Sequence, residues 1–140
     1  MSAPKHALMD WDAKKFDVLV PKMNEQHHRL VDLMNKLYAR QAANATQTEL
    51  GKLIVELRDY TVRHFQDEEA FLESINYPQL SMHKNVHAKL LEDFAKHHAQ
   101  FTATGKLSAA FFEFLRLWLT AHIMHIDRKY GDYSHTSSAA

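Results

Sequence analysis

Seven side chains able to bind a transition metal stand at helical spacings along this 140-residue chain: His27, His64 with Glu68, His83 with His87, and His122 with Asp127. Residues four apart on a helix lie above one another on the same face, so His64/Glu68 and His83/His87 each present a ligand pair to one side. His122 and Asp127 are five apart and can converge on a common centre after some rotation, while His27 contributes alone. Taken singly these are weak signals: an H-x-x-x-H is more often a surface pair, and His64-Phe-Gln-Asp-Glu-Glu69 reads equally as a solvated acidic patch. Together, on the apolar stripes of four segments, they would cost on the order of several kcal/mol if left unpaired. A metal removes that cost for all seven at once.

Ligand chemistry narrows the metal. Imidazole and carboxylate without thiolate suit iron, zinc, copper or nickel, and tell against calcium or magnesium. Seven ligands are too many for one tetrahedral zinc and too few for two closed octahedral ions. If both carboxylates and an oxo or hydroxo group bridge two ions, the five histidines divide three and two. One ion is then closed and the other keeps an open position, where a small diatomic ligand binds a redox metal. The pattern points to a two-iron site and dioxygen chemistry.

Four segments with the 3.6-residue apolar period must position these ligands. The first runs from about Pro21 to Arg40, the second from Thr46 to Ser74, the third from Pro78 to Phe101 and the fourth from Ser108 to Tyr130, with Ile126 expected inward. Asn76-Tyr77-Pro78 and Thr104-Gly105-Lys106 punctuate them. Short connections predict an all-α, up-down-up-down antiparallel four-helix bundle over 21–133. Residues 1–20, with Trp11 and Phe16, are expected as an N-terminal arm packing on the bundle or on another subunit, and 134–140 as a flexible tail.

Composition excludes several classes. Three Gly and three Pro favour long helices, and 17 Lys+Arg against 17 Asp+Glu leave no strong field for nucleic acid or an anionic membrane. With no Cys there is no iron–sulfur cluster or thiolate zinc site. No run approaches a membrane span and the N-terminal residues lack a signal-peptide core, so the expected compartment is the cytoplasm.

The chain resembles the single-domain bacterial hemerythrins from Trp11 to Tyr133. The resemblance rests on Gln26-His27 with Leu30 and Asn35, His64-Phe65-Gln-Asp-Glu68-Glu69, Tyr77-Pro78 before His83-x-x-x-His87, and Trp118-Leu119-Thr-Ala-His122-Ile123-Met-His-Ile-Asp127. It implies two irons with an oxo or hydroxo bridge: His83, His87 and His122 on the closed iron, His27 and His64 on the open one, Glu68 and Asp127 bridging. It implies reversible dioxygen binding at the open iron, with Trp118, Leu119 and Ile123 lining the oxygen pocket. Such a protein carries, stores or scavenges oxygen and can supply an oxygen-consuming partner enzyme; a monomer is the default expectation, with the oligomeric state left open by the sequence. A di-iron oxidase, peroxidase or ferroxidase and an oxygen or redox sensor are the alternatives. Sensors commonly carry an attached signalling module, and its absence here favours the free carrier. Ferritin-like oxidases use paired Glu-x-x-His motifs, of which only Glu25-x-x-His28 occurs here. Asn24 stands where relatives carry Asp, a residue read as structural or as an outer partner of the site, so the change bears on tuning and leaves ligation intact. Tyr130 is expected to support Asp127, and His6, His28, His97, His98, His125 and His135 are read as surface residues.

Overall fold

Four helical columns form an antiparallel bundle in the computed structural model, which describes residues 7–139. Residues 1–6 of the expected arm, His6 among them, and Ala140 lie outside the described residues. The first three columns are α1 (Pro21–Ala42), α2 (Gln47–Ser74) and α3 (Leu80–Thr104). The fourth is composite: α4 (Ala109–Ala121), a π-helical turn (His122–Asp127) and α5 (Arg128–Ala139).

Local chemistry sets the helix ends. Pro21 opens α1, where its missing N–H has no helical partner to lose. Thr46 Oγ1 accepts the Glu49 N–H at 3.1 Å to cap α2, and Arg40 grips the Glu49 carboxylate through bonds of 2.7 and 3.2 Å. The end of α1 is thereby tied to the start of α2. Gly105, at φ +76°, closes α3 in the left-handed region. Ser108 Oγ then caps α4 by accepting the Phe111 N–H.

The antiparallel order decides where the ligands meet. His27 lies early in α1, His64 and Glu68 late in α2, His83 and His87 early in α3, and His122 and Asp127 beyond α4, so all seven gather toward one end. The other end is filled by Leu37, Leu50, Ile54, Phe101, Phe111 and Phe112, all buried.

The fourth column departs from a single α-helix. In α geometry two residues five apart lie about 140° apart around the axis, so His122 and Asp127 would diverge. The π turn inserts the extra residue and brings both inward. Asp127 is buried as a result, and Ile126, expected inward, is only half-buried. Residues 134–139, expected as a flexible tail, continue α5.

The described part of the arm packs on the bundle. Asn35 receives the N–H groups of Leu8 and Met9 on its Oδ1 and donates Nδ2–H back to the Met9 carbonyl, at 2.8–3.0 Å. Trp11 stacks on His28 with ring centroids 4.7 Å apart, and Phe16 and Val18 are buried. Asn24 accepts the Val18 N–H and donates to Asp17 Oδ1, fastening the arm where it enters α1. Asp17 is held below the usual carboxylate range by that bond from Asn24 and by the Leu19 N–H.

The arm crosses α5 at Gly131, where a Cβ would fall 1.8 Å from the Val18 carbonyl oxygen. Both sides of that contact are backbone, so neither can rotate away. Gly131→Ala is expected to lower stability by about 3 kcal/mol, the upper range for overpacking. Thermal unfolding followed by circular dichroism checks this; an unchanged midpoint would show that the arm does not hold this position.

Candidate metal centre

Inside the bundle the seven predicted residues converge, each no more than 4% exposed. Their ligand atoms form two groups, each with all members within 4.8 Å: Glu68, His83, His87 and His122, and His27, His64, Glu68 and Asp127.

Glu68 belongs to both groups, and Asp127 of the second also reaches histidines of the first. Glu68 Oε1 lies 2.8 Å from His83 Nε2, 2.9 Å from His87 Nε2 and 4.0 Å from His122 Nε2. Its other oxygen, Oε2, lies 3.6 Å from Nε2 of both His27 and His64. Asp127 divides in the same way, with Oδ1 2.9 Å from His122 Nε2 and 3.2 Å from His83 Nε2, and Oδ2 3.0 Å from His27 Nε2. All five rings present Nε2.

Hydrogen bonding accounts for only part of this proximity: His83 Nε2 bonds Glu68 Oε1 at 2.8 Å. Nε2 of His27, His87 and His122 and both oxygens of Asp127 are buried without a hydrogen-bond partner. They aim at common points between them. Two ligands each about 2.1 Å from one ion at right angles stand about 3.0 Å apart, which matches the five separations of 2.8–3.2 Å. Orphaned polar atoms of this number are too costly to bury for no return. The residues therefore fit a pair of metal ions.

Electrostatics agree. Burial opposes charge on Glu68 and Asp127, but the imidazoles around them outweigh it and hold both carboxyls well below their usual range. For His83 and His122, burial pulls down while Asp127 and Glu68 push up, and the carboxylates win: His83 rises to about 9 and His122 to about 10. His64 goes the other way, lowered by burial to about 4. Without metal, protonated histidines neutralise the two carboxylates.

Outer partners orient the ligands, and the sequence pattern alone missed three of them. His64 Nδ1 lies 2.6 Å from Gln26 Oε1, Gln26 Nε2 donates to Asp67 Oδ2 at 2.9 Å, and His87 Nδ1 lies 2.8 Å from Glu69 Oε2. Each contact joins two helices, so no spacing within one segment reveals it. Tyr130 donates its O–H to Glu68 Oε2 at 2.7 Å, where Asp127 had been expected as its partner. Burial, then the Glu68 charge, raises the Tyr130 phenol well above its usual range.

Trp118, Leu119 and Ile123 are all buried. Trp118 meets Phe65 edge-on at 6.0 Å, and Phe65 stacks on His87 at 3.7 Å. His125 is exposed, as are His28 and His135, whereas His97 and His98 are half-buried. His97 sits against Phe111 and Phe114.

A family model described as "Hemerythrin HHE cation binding domain" matches residues 18–133. The chain belongs to the hemerythrin family. Bacteriohemerythrin of Methylococcus capsulatus is 35% identical over 126 residues, covering 89% of this chain and 95% of the relative. A bacteriohemerythrin of Clostridium acetobutylicum is 30% identical, covering 84% and 95%. Among solved structures, a wild-type hemerythrin matches with TM-score 0.81 and 35% identity, over 90% of this chain and 97% of that one. A leucine-to-tyrosine mutant of hemerythrin matches with TM-score 0.83 and 33% identity, covering 91% and 98%. This hemerythrin has, among its described residues, no helix long and apolar enough to cross a membrane.

Proposed function

We propose that this hemerythrin binds dioxygen reversibly at two iron ions, held by His83, His87 and His122 on one side and His27 and His64 on the other, with Glu68 and Asp127 bridging. The observation that carries the reading is the division of each carboxylate, one oxygen toward each histidine group. Iron held by these residues would supply the electrons that a diatomic ligand accepts on binding.

The chain's own residues favour binding over turnover. Trp118, Leu119 and Ile123, all buried, would keep water and free protons away from the centre. Tyr130, which touches Glu68, keeps its proton. The chain then acts as a carrier, store or scavenger of oxygen.

Anaerobically reduced, iron-loaded protein cycled between air and argon tests this. Two irons per chain and a visible charge-transfer band that appears in air and vanishes under argon are the expected result. A one-way change to the oxidised spectrum would move the assignment to an oxidase or peroxidase.

A further inference from the structure

We infer that Gln26 is a positioning residue for the two-histidine half of the centre, its amide oriented by Asp67 so that His64 is held in the Nδ1–H tautomer with its Nε2 lone pair inward. The inference rests on the metal-binding reading above. Asp67 comes from α2 one residue before Glu68, and Gln26 from α1 one residue before His27. A carboxylate only accepts hydrogen bonds, so the Gln26 group 2.9 Å from Asp67 Oδ2 must be the Nε2 amide. The Gln26 oxygen then faces His64 Nδ1 at 2.6 Å, and an amide oxygen also only accepts. His64 Nδ1 must therefore carry the proton. Each link leaves the next a single choice, and the chain starts at a half-buried side chain outside the ligand set.

The other half of the centre is held differently. His87 Nδ1 meets the Glu69 carboxylate directly, at 2.8 Å. A carboxylate acceptor draws the imidazole proton and makes the ring a stronger electron donor to its metal, whereas a neutral amide does so less. His64, on the side with fewer histidines, has the neutral partner. That arrangement favours the ferrous state on the side proposed to take up oxygen.

Swapping the two partners tests the relay. In Asp67→Asn the residue facing Gln26 can donate or accept, so the amide loses its fixed orientation. Imidazole ¹⁵N NMR on metal-free protein should then show a mixture of His64 tautomers, against Nδ1–H alone in the native chain. Anaerobic ferrous titration should show the second iron bound about 10-fold or more weakly, the usual scale for losing an outer partner. The double variant Gln26→Glu/Asp67→Asn restores the chain with its polarity reversed, the introduced carboxylate accepting from both neighbours. It should recover the single tautomer and the affinity, and lower the reduction potential of the iron pair below native. A native tautomer and native second-iron affinity in both Asp67→Asn and Gln26→Leu would overturn the inference, as would failure of the double variant to rescue while its circular dichroism remains native. A native chain that takes up no second iron yet shows the tautomer response would sink the functional proposal and leave the relay standing.

Discussion

Replacing Glu68 by Ala is expected to abolish paired metal loading, leaving at most one ion per chain where the native protein takes two. Glu68 belongs to both ligand groups and presents a different oxygen to each. Its removal takes one ligand from each ion, breaks the bridge and strands the Tyr130 hydroxyl in the core. Losing an outer partner alone weakens a metal site by about 10–100-fold, so losing a shared ligand should exceed the upper figure. His125→Ala is the matched control: a histidine three residues from His122 but exposed, whose removal should stay within about 0.5 kcal/mol in stability. Metal counting after anaerobic loading and desalting separates the two. Two ions per chain in Glu68→Ala would refute the shared-ligand assignment.

Metal removal should lower the unfolding midpoint, and by more as pH rises. A ligand that binds only the folded state stabilises by about 4 kcal/mol per site at a thousandfold excess over its Kd. For a chain of this length that is about 10 °C or more in Tm. The pH dependence follows from the direction of each shift. His83 and His122 are raised from 6.5 to about 9 and about 10 in the metal-free fold. Their contribution to metal-free stability is complete below pH 6.5 and is lost as pH rises through those values. His64, lowered to about 4, contributes in the opposite sense: its share is present above 6.5 and disappears as pH falls toward 4. Metal-free protein should therefore be most stable near pH 6.5. Metal binding displaces the protons on His83 and His122, so the loaded form gains as pH rises. Scanning calorimetry of loaded and stripped samples at pH 6, 7.5 and 9 should show the gap between midpoints widening. A constant gap would mean those histidines do not exchange protons for metal.

The bundle and the seven candidate ligands that converge in it were legible from residue type and period, because a histidine or carboxylate on an apolar stripe has few uses and helical spacing tells which face it shares. The break in the fourth column was not. His122 and Asp127 sit five apart on paper, and whether the chain twists a side chain or inserts a π turn depends on which costs less against the packed neighbours. That turn also resets the phase of everything after it, turning Tyr130 to Glu68 and Gly131 to the Val18 carbonyl.

Sequence by itself therefore determined the helices, the inventory of candidate ligands and the family, since each depends on interactions within one segment or on a linear pattern. Tertiary structure alone decided which oxygen of each carboxylate faces which histidines, that Gln26 with Asp67 and Glu69 orient the rings, and where the arm lies. Those contacts form between helices. Their partners are chosen by rotation and register within the packed bundle, and no spacing along a single helix encodes either.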